Sequence, residues 1–239
     1  MKKIVLAHLY PREMNIYGDW GNIVALTKRL EWRDYEVVYE PIGLGAEYDF
    51  SRADIVFGGG GQDRGQVAVA DDLQRHREAI HVAAEQGTVF LLVCGLYQLF
   101  GHMFTTIEGA ELPGIGLFDA ETVGSSERLI GNVVVQTPWG EVVGFENHSG
   151  KTTLAPEQSA LGRVVQGHGN NGEDGFEGAV VHNVFGTYLH GSLLPKNPDF
   201  TDELLRRALE RRGDKLVITD KIDDSLAERA AAVAKRRPQ

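Results

Sequence analysis

The sequence predicts an α/β protein with a mostly parallel central sheet, an antiparallel extension of that sheet, and helices on both of its faces. In the first half of the chain, apolar runs rich in β-branched residues alternate with helix-like stretches. In the second half, short apolar runs are separated by Gly, Pro and Asn, a pattern typical of antiparallel strands and turns. The chain has 239 residues, of which 42% are hydrophobic, so we expect a single domain over 1–239.

The first half is predicted to contain four strands and three helices. Each strand is a short apolar run, and each helix carries apolar residues three or four positions apart. The strands cover 4–9, 35–39, 55–57 and 88–93, and the helices cover 21–32, 71–86 and 95–101. Because helices separate most of these strands, we expect parallel pairing.

The second half is predicted to extend the sheet with the antiparallel strands 129–136, 142–145 and 179–184. The glycine-dense segment 167–178 lacks the Asp spacing and final Glu of a calcium-binding EF-hand, which indicates a plain loop. The chain ends in a charged helix near 225–237.

Charge and composition exclude several classes of function. Lys and Arg total 24 and Asp and Glu total 34, so the net charge is −10 and binding to nucleic acid is not expected. No apolar stretch approaches the ~20 residues needed to insert into a membrane, and the apolar start is too short for a signal peptide. Cys94 is the single cysteine, so no intrachain disulfide can form, and we expect a cytoplasmic protein. A single cysteine also excludes a thiolate zinc cluster, so we expect no metal.

Cys94 lies where the buried strand 88–93 gives way to a helix. A residue at such a sharp turn projects its side chain above the sheet edge, as in a nucleophile elbow. The helix N-terminus favours a thiolate, and the N–H of Gly95 could bind a developing oxyanion. However, Leu92 and Leu96 stand where a G-x-C-x-G motif has glycine. Taken alone, Cys94 is either a nucleophile or a small buried hydrophobe.

His190 follows a short strand and precedes a glycine, so it is a candidate base for the Cys94 thiol. Position alone does not separate it from a surface histidine. The predicted strand 179–184 contains one competitor, for which a structural role is favoured. The competing histidines are His102, His148, His168 and, in that strand, His182.

Two further features are candidate substrate contacts. Four glycines, 58–61, follow the strand 55–57 and form either a nest of N–H groups for an anion or a plain tight turn. No Gly-Lys-Ser/Thr follows them, so they are not a P-loop. Arg128 follows a polar turn and is either a bidentate clamp for a carboxylate or an exposed surface arginine.

Taken together, these features resemble the class I, triad-type glutamine amidotransferases, which have a flavodoxin-like fold, and within them the cobyric-acid-synthase-like branch. The similarity extends to the amidotransferase subunits of lipid II isoglutaminyl synthases. It covers roughly residues 4–210 and rests on the segments 17–22 (YGDWGN), 58–63 (GGGGQD), 93–98 (VCGLYQ), 144–148 (GFENH) and 186–198 (GTYLHGSLLPKNP).

The resemblance implies that Cys94 attacks the side-chain amide of L-glutamine, releases ammonia and forms a γ-glutamyl thioester, while His190 moves the protons. Backbone N–H groups of Gly60, Gly61 and Gly95 would hold the oxyanion, and Arg128 would hold the α-carboxylate. No cofactor is expected in this chain. ATP and magnesium are expected on a MurT-like, Mur-ligase-type synthetase that would form a heterodimer with it and amidate the D-glutamate α-carboxyl of lipid II.

One departure from the commonest class I pattern concerns the acid that orients the histidine. That pattern is His-x-Glu, whereas this chain has His190-Gly191-Ser192, so we expect the carboxylate to come from a partner subunit or from a distant residue. Two alternative functions stay open at this point. One is a non-catalytic binding module with an inert Cys94, and the other is an ammonia donor for cobyrinate-type amidation, against which the absence of a P-loop domain argues.

Overall fold

The computed structural model describes residues 2–61, 63–217 and 222–236. The strands are, in chain order, β1 (Lys2–Leu9), β2 (Tyr35–Ile42), β3 (Ile55–Gly58), β4 (Val89–Val93), β5 (Met103–Thr105), β6 (Glu111–Pro113), β7 (Ala120–Thr137), β8 (Gly140–Leu154), β9 (Gly162–Gln166), β10 (Phe176–Glu177), β11 (Ala179–Val181) and β12 (Val184–Thr187). The helices are α1 (Trp20–Glu31), α2 (Asp63–Glu85), α3 (Gly95–Leu99), α4 (Pro198–Arg211) and α5 (Ser225–Arg236).

The first sheet has the strand order β11-β12-β4-β3-β1-β2, and only the edge strand β11 is antiparallel to its neighbour. Its inner strands are continuous apolar runs because helices cover both faces; every residue of β3 and β4 is buried. The predicted parallel sheet is confirmed. The carboxyl ends of its strands meet along one edge, where side chains from distant parts of the sequence come together.

The strands predicted at 129–136 and 142–145 do not extend the first sheet. They are parts of β7 and β8, which pair as a long hairpin in a second sheet of order β10-β9-β7-β5-β6. A register shift between Gly124 and Leu129 and a largely exposed stretch of β7 interrupt the apolar alternation, so the strand is longer than its pattern indicates.

The strand predicted at 179–184 is also wrong in extent. His182, with a φ of 52°, lies at an exposed turn that separates β11 from β12. In addition, α2 begins at Asp63 and ends at Glu85, so it starts well before the predicted helix 71–86. The terminal helix α5 occupies 225–236 as expected, and residue 237 lies outside the described residues. Within the described part of the chain, no helix combines the length and apolar character needed to cross a membrane.

His8 is a fully buried histidine at the end of β1. Its ring packs against Phe57 and Trp20, and its Nδ1 lies 3.1 Å from the hydroxyl of Tyr39. No hydrogen-bond partner reaches its Nε2 among the described residues. Burial lowers the pKa of His8 from 6.5 to about 4, so the folded state holds a neutral imidazole near neutral pH.

Acidification is therefore expected to destabilise the fold through His8. Its folded pKa lies below the unfolded value of 6.5, so the unfolded chain binds more protons between pH 6.5 and about 4, and the stability from this group falls as pH decreases through that window. The loss amounts to at most ~3 kcal/mol. Urea unfolding at pH 7 and pH 4.5 measures it: His8→Gln, which does not titrate, should lose less stability than the wild type. Equal losses in both proteins would contradict this assignment.

Candidate active site

The candidate site lies at the carboxyl edge of the first sheet, in a cavity of about 390 Å³. Residues that follow β1, β3 and β4 line it, and the β7–β8 hairpin of the second sheet forms the opposite wall. The lining residues are Ile16, Tyr17, Gly61, Gln66, Cys94, Gln98, Phe104, Arg128, Asn147, His148, Ser149 and Gly150. Among the described residues, no three His, Cys, Asp or Glu side chains are grouped so as to hold a metal ion.

Cys94 connects β4 to α3 with a φ of 51° and a ψ of −104°. Few residues other than glycine adopt a positive φ, and such strain is stored mainly at functional sites. The Cys94 N–H donates to Thr187 O at 2.8 Å, and the Cys94 carbonyl accepts the Gln98 N–H at 3.0 Å, so the turn is fixed on both sides. The residue is 7% exposed and lines the cavity, so Cys94 is not sealed within the apolar core.

His190 and Cys94 lie next to each other, both on the side of Gly60 that a Cβ would occupy. A methyl group placed on Gly60 would come within 2.7 Å of His190 Cε1 and 3.2 Å of Cys94 Cβ. Backbone hydrogen bonds in both directions with Phe145 hold His190 against β8. The imidazole is fully buried, and its Nε2 makes no hydrogen bond within normal distance among the described residues, so this nitrogen is left for the side chain of Cys94, which contributes to the electrostatics of His190.

Asp19 supplies the acid that is missing from the His190-Gly191-Ser192 motif. Its Oδ1 accepts the Nδ1–H of His190 at 3.3 Å, and its Oδ2 accepts the N–H of Gly60 at 2.7 Å. Burial of His190 opposes its charged form, but the charge of Cys94 and the hydrogen bond with Asp19 outweigh burial and raise the pKa of His190 to about 10. Of the two sources expected for this carboxylate, the structure has the distant residue of the same chain.

Arg128 lies at the exposed mouth of the cavity. Its Nε donates to Asn147 Oδ1 at 2.6 Å and its Nη2 donates to the Tyr17 hydroxyl at 3.2 Å, which orients the guanidinium. The Tyr17 ring also packs edge-on against His190, with ring centroids 5.1 Å apart. Tyr17 thus connects the cation at the mouth with the imidazole below.

The three predicted glycines occupy different positions. Gly61 lines the cavity. Gly95 opens α3, where the first N–H groups of a helix have no acceptor within the helix. Gly60 differs from the prediction, because its N–H donates to Asp19 and is not directed at an oxyanion. Its lack of a Cβ has another use, since any side chain there would collide with His190.

Of the competing histidines, one lies in the cavity wall. His148 stacks on Tyr188 with ring centroids 3.6 Å apart, its Nδ1 donates to Gly150 O at 2.7 Å, and burial lowers its pKa to about 4. The other three are engaged elsewhere. His168 contacts Glu146 at 2.7 Å, the exposed His102 contacts Asp119 at 3.0 Å, and His182 lies at the exposed β11–β12 turn.

Sequence reasoning missed Asp19, Tyr17 and Gln98 as site residues. The first two lie in the segment 17–22, which carries part of the resemblance but was given no chemical role. Gln98 is four residues after Cys94, a spacing that places it one helical turn further on the same face of α3. Spacing could have found Gln98, whereas 171 positions separate Asp19 from His190.

Comparisons with known proteins agree with this geometry. The CobB/CobQ-like glutamine amidotransferase domain matches residues 5–198. The chain is 40% identical to the lipid II isoglutaminyl synthase (glutamine-hydrolyzing) subunit GatD of Staphylococcus aureus, over 89% of this chain and 87% of that protein. It is 36% identical to the GatD subunit of Streptococcus pneumoniae, over 95% of this chain and 88% of that protein.

The fold is also shared with a solved structure of low sequence identity. The Trypanosoma brucei CTPS glutaminase domain with bound acivicin superposes with a TM-score of 0.57 at 11% identity, covering 92% of this chain and 98% of that one. The resemblance predicted from the sequence motifs is confirmed: this chain belongs to the CobB/CobQ-like glutamine amidotransferase family.

Proposed function

We propose that this chain is the glutaminase subunit of a lipid II isoglutaminyl synthase, releasing ammonia from L-glutamine at Cys94. The observation that carries the proposal is the arrangement of buried His190 and Asp19 beside Cys94, which lines a cavity that has Arg128 at its mouth. A free amino acid has a carboxylate for Arg128 to bind, which leaves its side-chain amide to reach the sulfur at the far end.

The first half-reaction forms a thioester. The Cys94 thiolate attacks the amide carbon, and the resulting oxyanion is held by N–H groups of Gly61 and Gly95. The His190 imidazolium then gives its proton to the amide nitrogen, so that the carbon–nitrogen bond breaks and ammonia leaves. Asp19 stabilises the imidazolium before this transfer and fixes the ring orientation throughout.

The second half-reaction restores the enzyme. Neutral His190 takes a proton from water as the water oxygen attacks the γ-glutamyl thioester. Collapse of the tetrahedral intermediate breaks the carbon–sulfur bond, releasing glutamate and returning the thiolate and imidazolium.

The partner follows from the chemistry and from the names of the relatives. The GatD proteins are subunits of a synthase, and this proposal extends that role to the present chain. The partner would be a MurT-like, Mur-ligase-type synthetase that binds ATP and magnesium, activates the D-glutamate α-carboxyl of lipid II and receives ammonia from Cys94. We place the complex in the cytoplasm, where a free catalytic thiol stays reduced.

The test is amidation by the full chain co-purified with a Mur-ligase-type protein from the same organism. With ATP, magnesium and lipid II, the wild-type complex is expected to use either L-glutamine or ammonium chloride as the nitrogen source, measured by mass spectrometry of the stem peptide. The Cys94→Ala complex should use ammonium chloride alone, because the partner site stays intact while the ammonia supply is lost.

Each alternative function gives a distinct result. If the chain were a non-catalytic module, the wild type and Cys94→Ala would behave alike, because glutamine would not be hydrolysed at Cys94 in either complex. A donor for cobyrinate-type amidation would release ammonia from glutamine but support amide formation on a corrinoid acid and not on lipid II.

A further inference from the structure

A chain of buried polar side chains lines the deep end of the cavity and continues behind it. Gln66, on α2, is 3% exposed, and its Nε2 donates to Gln98 Oε1 at 2.6 Å. Gln98 Nε2 in turn donates to the Tyr188 hydroxyl at 3.0 Å. That hydroxyl lies 2.6 Å from Thr152 Oγ1, which lies 2.7 Å from Thr122 Oγ1.

The carbonyl of Gly95 fixes the orientation of the Gln66 amide. Gln66 Nε2 lies 3.4 Å from Gly95 O, and a carbonyl oxygen can only accept a hydrogen bond. The nitrogen of Gln66 must therefore face both Gly95 and Gln98. Rotating the amide by 180° would set its oxygen against the oxygen of Gly95.

This orientation turns Gln66 Oε1 away from the two groups that the Gln66 nitrogen contacts. Among the side chains that the structure describes, which do not include those of residues 62–64, none donates a hydrogen bond to Gln66 Oε1, and Gln66 lines the cavity. Its amide carbon is also close to the nucleophile, because a methyl group on Gly95, the residue after Cys94, would lie 3.2 Å from Gln66 Cδ. Arg128 is exposed at the other end of the same cavity, so a bound glutamine spans from carboxylate at the mouth to side-chain amide beside Gln66.

We infer that Gln66 is a specificity-determining residue whose Oε1 accepts an N–H of the scissile carboxamide. An amide offers such a donor, whereas an ester or the carboxylate of the product glutamate offers only acceptors, which would oppose the Gln66 oxygen. Gln66 therefore favours glutamine over γ-esters and promotes release of glutamate. The inference rests on the proposed glutaminase function.

The experiment compares hydrolysis of L-glutamine and of the γ-methyl ester of L-glutamate by the full chain. Gln66→Met, which keeps the side-chain length but has no amide, is expected to lose about 10- to 100-fold in kcat/KM for glutamine and less than about threefold for the ester. If Gln66→Met does not fold, Gln66→Asn, shorter by one methylene, tests the same loss of reach. An equal loss on both substrates would overturn the inference and leave Gln66 a packing residue.

Thr152→Val is the matched control, because it breaks the same hydrogen-bonded chain away from the cavity and should leave the amide-to-ester ratio unchanged. A binding measurement separates recognition from chemistry. In the Cys94→Ala background, adding Gln66→Met should reduce the ratio of glutamate Kd to glutamine Kd by about tenfold, and an unchanged ratio would count against the inference. If the wild type hydrolysed neither L-glutamine nor the ester, the proposed function itself would be overturned.

Discussion

Substituting alanine for Cys94 is expected to reduce ammonia release from glutamine by at least about a thousandfold, because the thioester pathway needs the sulfur. The side chain lines the cavity beside His190, so its removal deletes the nucleophile and leaves the cavity walls in place. Ammonia is measured with glutamate dehydrogenase, and circular dichroism establishes that the variant is folded. Retention of most of the wild-type rate by a folded Cys94→Ala protein would exclude a catalytic role for the sulfur.

The backbone at Cys94 provides a matched pair of variants that separates function from stability. Its φ of 51° and ψ of −104° are costly for any residue with a Cβ, typically by ~1–3 kcal/mol. Cys94→Gly relieves this strain and Cys94→Ala does not. Both should be inactive, but Cys94→Gly is expected to be more stable than Cys94→Ala by about 1 kcal/mol in urea unfolding. A less stable glycine variant would mean that the turn is not strained.

Most of the fold could be predicted because its signals are local. Continuous apolar runs such as 88–93 reflect strands buried on both faces. The single cysteine directly follows that run, so its place at the turn after the strand could be predicted. The second sheet could not be predicted in this way. The exposed portion of β7 has no apolar alternation, so what keeps it extended is its pairing with β8, and pairing is not visible in the sequence.

The candidate site likewise contains residues that local sequence pattern predicts and residues that it does not. Cys94 and His190 each follow a strand and stand beside a glycine, and local pattern was sufficient to propose them. The roles of Asp19 and Gln66 depend on contacts between elements that are far apart in the chain: a loop after β1 reaches His190, and the first turns of α2 reach Gly95. Nothing in the composition of either segment specifies those distances.

Asp19→Asn is the second substitution with a large expected effect, a fall of about 10²- to 10⁴-fold in kcat for ammonia release. Asparagine has nearly the same shape as aspartate but carries no charge, so it does not stabilise the imidazolium of His190. Because the Asp19 carboxylate contributes to raising the pKa of His190 to about 10, its loss lowers that pKa. His190 must be protonated to release ammonia, so activity should decline with rising pH at a lower pH in Asp19→Asn than in the wild type.

The pH dependence of kcat distinguishes this role from a structural one. Asp72→Asn is a suitable control, because Asp72 is also a largely buried carboxylate, but it accepts hydrogen bonds from Tyr10 and Gly45 and does not contact His190. Both variants lose hydrogen bonds to a buried carboxylate and should lose stability. Only Asp19→Asn is expected to shift the alkaline limb of the profile. If the two variants shift that limb equally, or if Asp19→Asn keeps the wild-type limb, then Asp19 serves the fold and the imidazolium is stabilised by Cys94 alone.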